Sequence, residues 1–146
     1  MRILVAVATR HGATREIAEH LAGSVGSAMT DAGAAADVEV RDVGLVPSLE
    51  GFDAVLLGSP VANGQWLAPA RAFAESFSDG LRWLPVWLFT RGPVAAGHEP
   101  ARELVRQLAA RDHRVFDGTD DRPLIRAWGH EIGTILAVAA VAESTL

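Results

Sequence analysis

One short segment, Thr9-Arg10-His11-Gly12-Ala13-Thr14, concentrates the residue types best suited to holding an anion. Thr9 and Thr14 offer hydroxyls, and Gly12 lets the backbone approach a ligand closely. A helical pattern starting at Thr14 brings unpaired amides and a positive dipole end to the same place. Arg10, His11 and Arg15 add local positive charge to a chain of formal net charge −5, which suits a phosphate. The same residues also read as a turn glycine between capping threonines. On the loop alone the two readings stand level, and its position after a buried strand and before a helix favours the anion.

Other chemistries find less footing. The chain has no cysteine, which excludes disulfides, thiolate metal sites and thiol catalysis, so any redox chemistry requires a bound cofactor. His11, His20, His98, His113 and His130 are scattered without the paired spacing of a zinc helix, so no metal is expected. Ser59 follows Gly58 but lacks the second glycine of a nucleophile elbow. Neither a GxGxxG nor a Walker A sequence occurs, which argues against nicotinamide or ATP. A phosphoacceptor receiver would need carboxylates where this chain has Thr9, Arg10 and Ser59. The acidic balance, with no block of basic residues, argues against nucleic acid.

The elements that must position the loop follow from periodicity. Ile3 to Ala8 is a continuous apolar run, as in a parallel strand covered on both faces. Ile17, Ala18, Leu21, Ala22 and Val25 then recur at helical spacing. Val38 to Val40, Ala54 to Leu57, Pro85 to Phe89 and Arg114 to Phe116 read as four more strands, the first of them an edge. Further helices are predicted over Trp66 to Phe77, Ala101 to Leu108 and Leu124 to Leu136. At 146 residues and 49% hydrophobic content this fits a single domain spanning 1–146. Five strands alternating with four helices predict an α/β fold, a five-stranded parallel sheet with helices on both faces. Ligands of such sheets bind beyond the carboxyl ends of the strands. That singles out Thr9 to Thr14, Ser59 to Gln65 and Thr90 to Gly97.

At these residues a resemblance enters. Thr9-x-x-Gly12-x-Thr14 after a buried N-terminal strand resembles the phosphate loop of flavodoxins. Arg10 to Ala18, Gly58 to Leu67, Trp87 to Pro93, Val115-Phe116-x-Gly118 and the final tryptophan-bearing helix resemble flavodoxin-domain proteins related to menaquinone-dependent protoporphyrinogen oxidase. The resemblance implies a flavodoxin-like sheet of order 2-1-3-4-5 with FMN as cofactor. Thr9, Arg10, His11, Gly12, Ala13 and Thr14 would hold its phosphate. Pro60, Val61, Ala62, Asn63, Gly64, Gln65 and Trp66 would border one side of the ring, and Thr90, Arg91, Gly92 and Pro93 the other. From the residues alone, Trp66 reads as a packing residue at a helix start sooner than as a flavin contact, and Arg91 equally as a solvated surface arginine. The implied function is electron transfer or FMN-dependent oxidoreduction, passing electrons to a quinone or another redox protein. The alternative is a flavodoxin-like binding module without flavin.

The chain departs from these relatives in three ways. Ala62 stands where they often carry an aromatic, and there is no tyrosine in the chain. No long insertion accompanies the fifth strand, so a porphyrinogen site is not carried over. Carboxylates are few near the expected ring, where Arg10, His11 and Arg91 stand on the neighbouring loops; the missing aromatic predicts loosely held FMN, and the positive charge a higher potential than that of low-potential flavodoxins. The stretch Ile132 to Ala142 is apolar around most of its circumference, predicting burial within the monomer or against a second subunit as a homodimer. It is shorter than the ~20 residues needed to cross a bilayer. A soluble, cytoplasmic protein with no membrane span is therefore expected.

Overall fold

The computed structural model describes residues 1–144. Its elements run β1 Arg2–Val7, α1 Ala13–Asp31, β2 Asp37–Asp42, β3 Ala54–Ala62, β4 Gln65–Trp66, α2 Ala68–Ser76, α3 Ser78–Arg82, β5 Val86–Arg91, α4 Arg102–Leu108, β6 Asp112–Phe116 and α5 Arg122–Ser144. The main sheet is parallel, in the order β2-β1-β3-β5-β6. The α/β architecture with helices on both faces is as predicted.

Side chains alternate across the central strands and build two cores. Ile3, Val5 and Val7 of β1, Leu56 of β3, and Trp87 and Phe89 of β5 face α1 and α5, meeting Ile17, Leu21, Val25, Trp128, Ile132 and Leu136. Leu4, Ala6, Val55, Leu57, Val86 and Leu88 face the other way, toward Phe73, Leu81 and Leu108 of α2, α3 and α4. Continuous apolar strands are what a sheet covered on both faces demands.

The sheet differs from the predicted one in having six strands. β3 does not stop at Leu57 but runs on to Ala62 and folds back antiparallel onto β4, pairing Val61 with Trp66 and Ala62 with Gln65. Asn63 and Gly64 make the turn, with φ of 53° and 76°. Two adjacent left-handed residues give the tight hairpin turn for which Asn-Gly is the preferred pair. Trp66 is therefore in a strand rather than opening a helix. α2 begins at Ala68, with Pro69 in its first turn, where a missing N–H costs nothing.

α5 is longer than the apolar stretch that announced it. Over Arg122–Glu143 it is, by length and composition alone, long and apolar enough to cross a membrane, which 132–142 is not. Its inner face is nevertheless core, with Ile125, Trp128, Ile132, Leu136 and Ala137 all buried against α1 and the sheet. Its outer face carries exposed Leu124, Ile135 and Val138.

Candidate functional site

Three connections meet at the carboxyl ends of β1, β3 and β5. The Ala8 N–H donates to the Gly58 carbonyl at 3.0 Å, which fastens the loop after β1 to β3. Pro60 lies in register with Arg91, so the start of the hairpin and the end of β5 are neighbours. The Gly92 N–H donates to the Phe116 carbonyl at 2.8 Å and ties the loop after β5 to β6.

The loop before α1 is shaped by its own backbone. Gly12 is the N-cap residue, with φ 86° and ψ −13°, a left-handed conformation that costs glycine nothing. Its N–H donates to Thr9 Oγ1 at 2.9 Å, and its carbonyl accepts from the Glu16 N–H at 3.1 Å. Among the described residues no side chain caps the helix. The amides of Ala13, Thr14 and Arg15 thus belong to a first turn that offers them no intrahelical acceptor. Arg10 and His11 are exposed, Thr9, Gly12 and Ala13 half-buried, and Thr14 buried. Arg15 is drawn along the helix to Glu19, with Nε and Oε1 3.3 Å apart, so it adds less positive charge to the loop than its place in the sequence suggests.

The hairpin is tied in by side chains instead. Ser59 Oγ accepts from the Leu67 N–H at 3.0 Å and donates to the Pro60 carbonyl at 2.8 Å. Arg71 Nε donates to the Trp66 carbonyl at 3.1 Å. Trp66 Nε1 donates to Thr90 Oγ1 at 2.8 Å, and His113 Nε2 lies 2.7 Å from the same oxygen. Trp66 is 1% exposed and Thr90 0%. The tip is held as well, since His98 Nε2 donates to the Gly64 carbonyl at 2.7 Å. Burial holds His113 below the ordinary histidine range, although Asp112 and Glu99 act the other way.

Arg91 ends β5 half-buried, and its Nε is buried without a hydrogen-bond partner among the described residues. A buried N–H of this kind is costly to leave unmet, and an isolated surface arginine would not have one. Gly92 is buried and Pro93 exposed. The Asp117 carboxylate sits over Gly92, where an added Cβ would come within 2.7 Å of Oδ1, so this flank is not as free of acids as predicted. Beside the hairpin, on the α2 and α4 side, Gln65, Trp66, Arg71, Pro100 and Leu104 help to line a groove of about 530 Å³.

The structure thus brings all three predicted groups to one end of the sheet. It turns the side chains of Trp66 and Thr90 inward and leaves the surface of the hairpin to Val61, Ala62, Asn63, Gly64 and Gln65. Sequence reasoning passed over His98 and His113. The signal for His113 was the pleat of β6, which sets it opposite Leu88. The signal for His98 was its place one residue past the third loop.

The flavodoxin domain family profile matches residues 4–128. No curated protein sequence matches the chain. Among solved structures, an oxidoreductase from Corynebacterium diphtheriae is similar at TM-score 0.71 and 17% identity, over 97% of this chain and 98% of that one. A flavodoxin from the domain Archaea gives TM-score 0.67 and 17% identity over 96% and 99%. A variant flavodoxin from Pseudomonas aeruginosa gives 0.65 and 18% over 90% and 99%. At these identities the likeness is one of fold. The match is to the flavodoxin domain as such, and the narrower likeness to protoporphyrinogen oxidase is not supported.

Proposed function

The chain belongs to the flavodoxin domain family, and from that premise we propose that it is an FMN-binding redox protein, serving electron transfer or FMN-dependent oxidoreduction with quinone-level or protein partners. The observation that carries this reading is the open first turn of α1, set by left-handed Gly12 at the carboxyl end of β1. A helix N-terminus with free amides and no competing side-chain cap is a phosphate site by its own physics. The unpartnered Nε of Arg91 is the second point of fit, since a buried donor at the same end of the sheet calls for an acceptor.

In this reading the amides of Ala13, Thr14 and Arg15 take the phosphate, with the Thr9 hydroxyl free to donate while it accepts from Gly12. Arg10 and His11 add charge from the solvent side. Val61 to Gln65 and Arg91 to Pro93 border the ring, and Trp66 and Thr90 support them from behind. Bound FMN supplies the one- and two-electron chemistry. The chain holds it in place and sets the local field. Positive charge from Arg91, Arg10 and His11 favours accepting negative charge at the site, and Asp117 moderates it.

A soluble cytoplasmic protein without nucleic-acid partners accompanies this reading, with α5 serving as core helix and its outer apolar face available to a second subunit. One observation favours the alternative, a module that holds no flavin: the hairpin exposes no aromatic side chain to stack on a ring. Visible absorption of the purified protein, before and after adding FMN, separates the two. A bound, quenched flavin supports the proposal, and an unchanged free-flavin spectrum at high micromolar concentration overturns it.

A further inference from the structure

The three side chains behind the hairpin form a directed chain. Trp66 Nε1 can only donate, and it donates to Thr90 Oγ1. Thr90 Oγ1 keeps a second lone pair and one hydrogen for His113 Nε2, 2.7 Å away, and that buried hydrogen has an acceptor within this group only when Nε2 is unprotonated. This requires a neutral imidazole with its proton on Nδ1. Adding a proton to Nε2 places two donors head to head and forces the Thr90 hydroxyl to turn. At 0% exposure Thr90 has no water to turn toward.

Two charged groups act on His113. Asp112 beside it and Glu99 in the loop after β5 favour the charged ring. From β5 it meets Thr90, which carries no charge and is bonded in turn to Trp66. The core around Trp66 takes Leu104, Val105 and Leu108 from α4, while Glu103 lies out in the groove beside Trp66. Arg114 is engaged by Asp112 and approaches Glu131 of α5.

We propose that His113 is a positioning residue for the β3–β4 hairpin, acting through Thr90 on Trp66, with the neutral imidazole as the form that holds it. Trp66 is the strand partner of Val61, so the relay sets where the hairpin surface stands. Resting on the flavin reading above, this makes affinity on the ring side fall as His113 takes up a proton.

The test uses the ligand-free full chain labelled with nitrogen-15. The Trp66 indole N–H resonance, assigned by its loss in Trp66→Phe, is followed from about pH 8 to about pH 5, across the histidine range. The expected result is a shift with the midpoint of the His113 ring, retained in Thr90→Ser and abolished in His113→Gln. FMN affinity is then measured at both ends of that range. It should fall by roughly fivefold more in the wild type than in His113→Gln, the weight of about one hydrogen bond. A Trp66 resonance that stays fixed until acid unfolding overturns the proposal, and this arm needs no relay variant to fold. A titrating indole with equal affinity ratios in the two proteins overturns the link to the site. Absence of FMN binding at every pH sinks the flavin reading instead, while the indole titration still decides the relay.

Discussion

The loop before α1 and the β3–β4 hairpin lie side by side at the same end of the sheet, yet they spend their polar groups in opposite ways. The loop makes one internal side-chain bond, Thr9 to Gly12, and leaves helix amides and two exposed basic side chains facing outward. The hairpin consumes nearly everything it has. Ser59, Trp66, Thr90, His113, His98 and Arg71 all bond inward to fix its shape. A site of this kind needs one part that supplies binding groups and another that supplies a surface of fixed form. Residue type reveals the first, whereas the second shows only when strands are paired.

The comparison breaks most severely at Thr90. Thr90→Val keeps the shape but leaves the buried Trp66 N–H and the His113 nitrogen without partners, at a cost of about 1–3 kcal/mol for each unmet group. Urea unfolding should show the loss, and Thr90→Ser should recover most of it. The loop before α1 should behave in the reverse manner. In Gly12→Ala the added Cβ meets no neighbouring atom within 4 Å, so its harm comes from backbone strain of roughly 1–2 kcal/mol at a left-handed position. Because the strain re-aims the helix amides, FMN titration should show binding weaker by tenfold or more, with the cooperativity of unfolding unchanged. A variant that binds as well as the wild type would place the anion elsewhere.

The pH dependence sharpens the same contrast. His113 has a folded-state pKa below its ordinary 6.5, so the native protein binds fewer protons than the unfolded chain as the pH falls into that range. Its contribution to stability is therefore complete above about 6.5 and is lost as the pH drops toward the folded value. Denaturation midpoints measured between about pH 7.5 and 5 should decline in the wild type and flatten in His113→Gln. Asp112 works at lower pH. Burial raises its pKa, but bonds from the His113 N–H, Trp128 and Arg114 outweigh that and leave it below the carboxylate norm.

What could be read in advance follows the same division. Uninterrupted apolar runs such as Ile3 to Ala8 and Ala54 to Leu57 mark strands buried on both faces, and the helical spacing from Ile17 to Val25 marks α1, so the sheet and its ligand-binding end were legible. The hairpin was not. Trp66 fits a helical pattern with Ala70, Phe73 and Phe77, and that periodicity outweighed the Asn63-Gly64 turn signal. Burial of Thr90 and its bond to Trp66 depend on β4 and β5 both pairing with β3, which brings together two residues 24 apart in sequence, and no local pattern encodes that. Arg91 reads equally as a ring-side or a solvated surface residue, and only the fold shows its Nε to be buried.

The smallest effect tests whether the hairpin surface is where a ring would rest. Ala62 is half-buried and pairs with Gln65, next to the turn. Its strand partner is Gln65 rather than Trp66, so an aromatic side chain here would replace no member of the relay. If a flavin ring lies against Val61 to Gln65, Ala62→Tyr should tighten FMN binding through stacking, by about 0.5–1.5 kcal/mol, a few-fold to tenfold in Kd. Ala62 also packs against the edge of the core that holds Trp66, so the larger side chain should cost some stability, about 1–3 kcal/mol at most. Fluorescence quenching of FMN measures the gain, and Thr90→Val in the same background supplies the contrast. A hairpin displaced by loss of the relay should no longer offer Tyr at a stacking distance. If Ala62→Tyr tightens binding equally with and without Thr90, the hairpin surface does not depend on the relay behind it. If it tightens binding in neither background, the ring does not lie against this face.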